Sequence, residues 1–222
     1  MSTLGAEGAR ARRTVVKVCG LTNVEDAVIA LSAGADWLGF VVRAESPRAI
    51  EPSRAADIVG ALGSGVIVAV VSGVGPDEAL ALARRVGAAR LQLHRADPSA
   101  WPADFPLPCA FASGVDAAGA LREALPAEHH LVLLDTAHDT LAGGTGRTFP
   151  WATARDLAAR RPVMLAGGLD DTNVGEAIEA ARPFGVDAAS RLERAPGLKD
   201  HDKVRRYVAA VREWDAGHAG TA

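Results

Sequence analysis

The stretch Leu131-Val132-Leu133-Leu134-Asp135 places four apolar residues directly before a carboxylate. A continuous apolar run of this length is typical of a parallel strand that is buried on both faces, with Asp135 at its C-terminal end. Residues 136–150 follow as a loop that contains the glycine-rich run GGTGRT at 143–148. α/β enzymes place their chemistry at such strand ends, although an aspartate that only caps the next turn gives the same pattern. The rest of the chain has to decide between these interpretations.

The chain repeats one unit, an apolar strand followed by a helix. The predicted strands cover residues 14–19, 37–42, 66–71, 89–93, 109–112, 131–135, 162–166 and 185–188. The predicted helices cover residues 24–33, 52–62, 76–86, 117–125, 151–160, 173–181 and 201–214, and the proline-rich segment 96–108 can hold only a short helix. Alternating units of this kind predict a parallel sheet with helices outside it.

Eight such units that close on themselves form a (β/α)8 TIM barrel, and this is the predicted α/β fold, as a single domain. An open doubly wound sheet is the competing arrangement, but it requires a dinucleotide fingerprint after the first strand, and Cys19-Gly20-Leu21-Thr22 is not one. We expect residues 14–214 to form the barrel, between flexible tails at 1–13 and 215–222.

The composition excludes several partners. The chain has 222 residues, of which 24 are basic and 27 acidic, without a basic stripe that would favour nucleic acid or anionic lipid. Its two cysteines lie far apart, which is typical of a reducing compartment, and residues 1–13 lack the apolar centre of a signal peptide. No apolar run approaches the roughly 18 residues of a membrane span. We therefore expect a cytoplasmic protein. We expect it to be a monomer or a homodimer, and the sequence does not distinguish the two.

Two loops at the C-terminal strand ends contain small residues. Gly167 and Gly168 follow the seventh predicted strand, and Ser190 follows the eighth. In barrels these two loops commonly bind phosphate through backbone N–H groups and a short helix, although paired glycines also form ordinary turns. The pattern predicts a phosphate site and hence a phosphorylated small-molecule ligand.

Cys19 directly follows the β-branched run of the first strand and precedes the flexible Gly20. A lone cysteine is more often a small core residue than a reactive one, but this position points to the barrel mouth. As a thiolate it could remove a proton from carbon if a cation such as Lys17, two residues earlier on the same face, lowered its pKa. Cys109 has no such neighbours and is interpreted as structural.

Arg48, in the loop after the second strand, offers a planar set of donors that suits a carboxylate or phosphate, but it could equally be solvated. His94, after the fourth strand, could bind a ligand or cap its strand. No pair of histidines is spaced as in metal sites, so we expect no metal ligand set.

The chain resembles the N-(5′-phosphoribosyl)anthranilate isomerase family of tryptophan biosynthesis. The resemblance is carried, in order over about residues 14–208, by KVCGLT at 17–22, GFV at 39–41, SPR at 46–48, LQLH at 91–94, LD at 134–135, GGTGRTF at 143–149 with Trp151, LAGGL at 165–169, NV at 173–174, GVD at 185–187 and PGLKD at 196–200. Each piece is weak alone, and the ordered set is specific.

The resemblance implies an Amadori rearrangement of an aminoaldose to an aminoketose without a cofactor. It implies that Asp135 is the general acid that protonates the ribose ring oxygen and that Cys19 is the general base that removes the C2′ proton. It also implies that Arg48 holds the anthranilate carboxylate, that Asp187 lines the ribose side, and that the glycines and the serine of the two small-residue loops hold phosphate. Lys17 and His94 are further candidates for substrate binding.

The run after the eighth strand departs from the family pattern. Ala189 replaces a serine and Arg191 replaces a glycine, so that Arg191 either supplies a charged phosphate donor or faces solvent. Arg95 replaces a further glycine, and Ser72-Gly73-Val74 lacks the usual Phe-x-Asn. These changes keep two alternatives open: a specialised relative that acts on a modified anthranilate or another sugar phosphate, and a barrel that binds a phosphorylated ligand without turnover. The related barrel isomerase of histidine biosynthesis works with two aspartates, and Cys19 argues against it.

Overall fold

The computed structural model describes residues 13–116, 119–136 and 151–218, apart from the side chains of residues 136, 152 and 153. Eight parallel strands close into a barrel in chain order, and β1 pairs with both β2 and β8. The barrel strands are β1 Val15–Cys19, β2 Trp37–Arg43, β3 Val66–Ser72, β4 Arg90–His94, β5 Cys109–Val115, β6 Leu131–Thr136, β7 Val163–Leu165 and β8 Gly185–Ala188. The predicted (β/α)8 barrel is confirmed.

The described helices lie outside the barrel. They are α1 Val24–Ala33, α2 Pro52–Leu62, α3 Pro76–Val86, α4 Trp151–Ala158, α5 Val174–Ala181 and α6 His201–Gly217. Local sequence sets their ends: the Asn23 side chain accepts a hydrogen bond from the backbone N–H of Asp26 at the start of α1, and Gly34 ends that helix in the left-handed conformation. Two short 3-10 turns, Pro98–Ala100 and Ser190–Leu192, and a two-stranded hairpin of β9 Glu193–Ala195 and β10 Leu198–Lys199 complete the described elements.

The helix predicted at 117–125 is wrong for the residues that the structure describes, because residues 119–130 contain no helix. The carboxylate of Asp116 accepts a hydrogen bond from the backbone N–H of Ala120, and Leu121 then pairs antiparallel with Val115. A side chain that bonds to the backbone in this way stabilises a turn in competition with a helix. Residues 117 and 118 lie outside the described residues.

The last helix was predicted to end at Trp214, and in the structure it continues to Gly217. The Asp215 carboxylate accepts hydrogen bonds from the backbone N–H and the hydroxyl of Thr14, at 3.1 Å and 2.7 Å. This contact joins the end of α6 to the residue before β1. Residues 1–12 and 219–222 of the two predicted tails, and the loop 137–150 with its GGTGRT run, lie outside the described residues.

Alternating side chains of each strand face the helices or the barrel interior. In β6, Val132 and Leu134 belong to the layer between barrel and helices, while Leu131 and Leu133 fill the interior. The same alternation directs Asp135 to the interior at the C-terminal end of its strand. The C-terminal strand ends therefore form the candidate site. Within the described ranges, no helix combines the length and apolar character that a membrane crossing requires.

Candidate active site

Lys17, Cys19 and Asp187 form a buried cluster at the ends of β1 and β8. The Lys17 ammonium donates to Oδ2 of Asp187 at 2.7 Å, and both side chains are at least 95% buried. The Lys17 ammonium also lies close enough to Cys19, which is 7% exposed, to interact with it electrostatically. Burial lowers the pKa of Lys17, but the Asp187 carboxylate and Cys19 raise it more, so the pKa lies above its ordinary value and the ammonium stays charged.

The expectation of a lowered thiol pKa is not met. Burial raises the pKa of Cys19, and the neighbouring Lys17 ammonium offsets only part of this effect. The thiol is therefore protonated in the unliganded protein at neutral pH. Formation of a thiolate requires further positive charge next to the sulfur.

Gly39 in β2 provides the space for this cluster. A Cβ atom at position 39 would lie 2.8 Å from Sγ of Cys19, 3.0 Å from Nζ of Lys17 and 3.1 Å from Cα of Cys19. Because β1 and β2 place Cys19 beside Gly39 in register, a larger residue here would displace either the thiol or the ammonium.

Asp135 is half-buried and lies in β6 beside Gly114 of β5 in the sheet register. The neighbouring strand thus contributes no side chain at this level, which leaves room on one flank of the carboxyl group. The Lys17 ammonium, which could have paired with Asp135, is instead held by Asp187.

Arg48 lies at the mouth beside Cys19, where it crosses Gly20. A Cβ at position 20 would lie 2.6 Å from Cδ of Arg48, so this crossing requires glycine. The guanidinium donates through Nε and Nη2 to the two carboxylate oxygens of Glu193, each at 2.8 Å. Lys199 donates to the same Glu193 at 3.0 Å and to the carbonyl of Ala189 at 3.0 Å.

His94 ends β4 and is joined to Gln92 by a hydrogen bond of 2.9 Å between their side-chain nitrogens. Because the Gln92 amide nitrogen can only donate, Nε2 of His94 accepts and the ring proton is on Nδ1. Burial and then the Lys17 ammonium lower the pKa of His94 to about 4, so the ring is neutral at pH 7. A neutral ring that offers one N–H suits a hydrogen bond to a ligand better than ion pairing.

The two predicted phosphate loops lie next to one another. Gly167 and Gly168 both have positive φ, and a Cβ at Gly168 would meet no atom within 4 Å, so its backbone faces open space. Ser190 begins the 3-10 turn after β8 and is exposed. Arg191 forms an ion pair with Asp170, in which its Nε and Nη2 lie 2.9 Å and 2.8 Å from Oδ2. The pair ties the loop after β7 to the loop after β8.

No group of three or more His, Cys, Asp or Glu side chains that could hold a metal ion occurs in the part of the chain that the structure describes. The chemistry of the described site is that of a thiol, carboxylates and fixed cations.

Residues 16–210 match the family model of N-(5′-phosphoribosyl)anthranilate isomerase. The chain belongs to this isomerase family. The N-(5′-phosphoribosyl)anthranilate isomerase of Rubrobacter xylanophilus is 43% identical over 203 residues, which cover 89% of this chain and 98% of that protein.

Solved structures of the isomerase family have the same fold. The crystal structure of the Thermotoga maritima enzyme has a TM-score of 0.78 and 33% identity, and the match covers 90% of this chain and 99% of that one. A second crystal structure, of the isomerase in complex with reduced 1-(o-carboxyphenylamino)-1-deoxyribulose 5-phosphate, has a TM-score of 0.75 and 31% identity, with the same coverage.

The sequence did not single out Glu193, Lys199 and Asp170 as site residues. Glu193 and Lys199 lie in the β9–β10 hairpin, which has too few residues for a recognisable strand pattern. The contact between Glu193 and Arg48 joins positions 145 residues apart, and no local signal marks such a pair. The buried charge of Lys199 becomes visible only when the fold is known.

Proposed function

We propose that the chain catalyses the Amadori rearrangement of N-(5′-phosphoribosyl)anthranilate to 1-(2-carboxyphenylamino)-1-deoxyribulose 5-phosphate, with Asp135 as general acid and Cys19 as general base. The chain is an isomerase of tryptophan biosynthesis by its family. The observation that carries the residue assignment is the position of a thiol and a carboxyl group at the ends of β1 and β6 in one closed barrel.

The rearrangement needs one acid and one base. Asp135 protonates the ribose ring oxygen, the C1′–O bond breaks, and the nitrogen lone pair forms a protonated imine at C1′. Cys19 removes the proton from C2′, and the electron pair of that C–H bond moves to form an enol-amine. Protonation at C1′ and loss of the O2′ proton then give the ketone, so that all atoms balance. Placed acid and base groups typically contribute about 10²–10⁴-fold each.

The protonated imine also explains how Cys19 can act as a base although burial raises the pKa of its thiol. Its positive charge forms next to C2′, where the thiol must act, and adds to the field of the Lys17 ammonium. A second positive charge at short range favours the thiolate over the thiol. Once the ring has opened, the Cys19 thiol releases its proton to water, and the resulting thiolate takes the proton from C2′. Lys17, held by Asp187, is the permanent part of the electrostatic support for this thiolate.

The remaining contacts divide among the parts of the substrate. Arg48 binds the anthranilate carboxylate, Asp187 lines the ribose side, and His94 donates its Nδ1 proton to the sugar. The backbone N–H groups of Gly167 and Gly168 and the Ser190 group bind the 5′-phosphate. We assign Arg191 to holding these loops together through Asp170, instead of either role that the sequence left open, a phosphate donor or a residue that faces solvent.

A direct assay tests the proposal. The purified protein is given N-(5′-phosphoribosyl)anthranilate, and the loss of anthranilate-type fluorescence is followed. Turnover supports the assignment, and a chain that is inert on this substrate contradicts it. An inert protein that still binds the product tightly would favour a non-catalytic barrel, whereas turnover of a ring-substituted anthranilate in preference would favour a specialised relative. The monomeric or homodimeric state and the cytoplasmic localisation stay predictions.

A further inference from the structure

We propose that Glu193 is a positioning residue that fixes the guanidinium of Arg48 for binding of the aromatic carboxylate of the substrate. The inference rests on the proposed function, because it concerns how one part of that substrate is held. It assigns a task to a buried carboxylate of the β9–β10 hairpin that the reaction chemistry does not use.

The geometry of the Arg48–Glu193 pair leaves a binding edge open. Glu193 occupies Nε and one hydrogen of Nη2, which is the side-on arrangement of a bidentate pair. Among the residues that the structure describes, no hydrogen bond engages Nη1 of Arg48. The end-on edge formed by Nη1 and Nη2 is thus available to a second carboxylate, and the guanidinium can hold Glu193 and a ligand at once.

Glu193 is itself anchored to the barrel wall. Its Oε1 accepts a hydrogen bond from Nζ of Lys199, and the backbone N–H of Lys199 donates to the buried Asp26 of α1 at 2.8 Å. Asp26 also accepts hydrogen bonds from the Asn23 amide and lies 2.8 Å from Nε2 of His201. The hairpin is therefore pinned to the first turn of α1, and Glu193 transmits that rigidity to an otherwise flexible arginine.

The charges of the group favour an anion. Arg48 and Lys199 bring two positive charges to the one negative charge of Glu193, so one positive charge is in excess. Burial opposes ionisation of Glu193, but the hydrogen bonds from Arg48 and Lys199 keep its pKa below the usual value. With Glu193 ionised, the excess charge on the half-buried guanidinium is left for a ligand carboxylate.

Two ligands that differ only in the carboxyl group test the proposal. Calorimetry measures the binding of reduced 1-(o-carboxyphenylamino)-1-deoxyribulose 5-phosphate and of the same compound without the carboxyl group, to the wild type, Glu193→Gln, Arg48→Ala and the double variant. We expect Glu193→Gln to weaken the binding of the carboxylated ligand about 5- to 10-fold, in line with the entropy cost of immobilising a long side chain. We expect the affinity for the carboxyl-free ligand to change less than about twofold. The double variant should bind the carboxylated ligand as weakly as Arg48→Ala does, since the effects of coupled residues are non-additive.

Glu45→Gln, an exposed carboxylate in the same loop as Arg48, is the control and should bind both ligands as the wild type does. Glu193→Asp keeps the charge on a shorter side chain and should show a smaller loss with the same ligand selectivity; it replaces Glu193→Gln if that variant unfolds. Equal weakening of both ligands, or no weakening, would overturn the proposal. Failure of the wild type to turn over N-(5′-phosphoribosyl)anthranilate would instead contradict the proposed function, and the ligand comparison would still decide the role of Glu193.

Discussion

The ammonium of Lys17 lies 2.7 Å from Oδ2 of Asp187 inside the barrel, where neither side chain is more than 5% exposed. This ion pair joins β1 to β8, the two strands at which the barrel closes. It also fixes a positive charge next to Cys19, so the same contact serves both the fold and the proposed base.

Removal of one partner of this pair should be more harmful than removal of both. Asp187→Asn leaves a buried ammonium without its carboxylate, and we expect it to lower the free energy of unfolding by about 3–5 kcal/mol. Lys17→Met combined with Asp187→Asn removes both charges and should recover much of that loss. Urea unfolding measures the free energies of the wild type, the two single variants and the double variant. Strictly additive effects of Lys17→Met and Asp187→Asn would contradict the pair. The double variant should remain poorly active, because Cys19 has lost its neighbouring cation.

Gly39→Ala should reduce activity because the added methyl group competes for the space of the Cys19 sulfur and the Lys17 ammonium. Overpacking of this kind typically costs about 1–3 kcal/mol of stability, and displacement of the thiol should lower kcat about tenfold or more. Gly60→Ala is the matched control, because a Cβ at position 60 in α2 meets no atom within 4 Å. We expect it to leave kcat unchanged and to stabilise the protein by about 0.5–1 kcal/mol. Equal kcat values for the two variants would refute the steric argument.

His94 should make the protein sensitive to acid. Its pKa is lowered from 6.5 to about 4, so folding favours the neutral ring. The stabilisation is complete above pH 6.5 and is lost as the pH falls through 4, because the unfolded chain binds the proton first. His94→Gln should flatten this part of the pH–stability curve by about 1–3 kcal/mol.

His130, whose pKa is also lowered to about 4 by burial, should account for a separate part of the acid sensitivity. Denaturant unfolding of the wild type, His94→Gln, His130→Gln and the variant with both changes, at several pH values, checks the prediction. A His94→Gln curve parallel to that of the wild type would be evidence against it.

Arg191 should contribute little to phosphate binding itself. Its guanidinium is half-exposed and pairs with Asp170, and exposed pairs contribute about 0.2–1 kcal/mol. We expect Arg191→Met to raise KM less than about threefold, a change of under roughly 0.7 kcal/mol. Steady-state kinetics as a function of substrate concentration decide the point. A KM increase of two orders of magnitude, with kcat retained, would return Arg191 to the role of phosphate ligand.

The barrel could be predicted from the sequence because short, mostly apolar strand segments alternate with segments of helical pattern along the chain. Asp135 shows the principle, since four apolar residues before it placed it at a strand end. The failed helix after β5 shows the limit: Asp116 redirects the backbone through a side-chain contact that composition does not reveal.

The sequence predicted the positions of site residues that lie at strand ends. It did not predict contacts between residues of different loops. Lys17 and Cys19 share a face by strand alternation alone. The pairs Arg48–Glu193 and Arg191–Asp170 join loops that are separate in the chain, so their partners depend on the closed barrel. The pKa of Cys19 also escaped prediction, because it reflects the balance between burial, which raises it, and the neighbouring Lys17 ammonium, which lowers it.

The most direct measurement of the central claim is the rate of turnover of N-(5′-phosphoribosyl)anthranilate by Cys19→Ser, Asp135→Asn and the control Cys109→Ser. Cys109 is a buried thiol like Cys19, but its Sγ only donates to the carbonyl of Leu107 at 3.4 Å. If Cys19 is the general base and Asp135 the general acid, the turnover rates of Cys19→Ser and Asp135→Asn should each be about 10²–10⁴-fold lower than that of the wild type. The turnover rate of Cys109→Ser should stay within about twofold of the wild-type rate. A Cys19→Ser or Asp135→Asn variant that retains wild-type turnover would contradict the assignment.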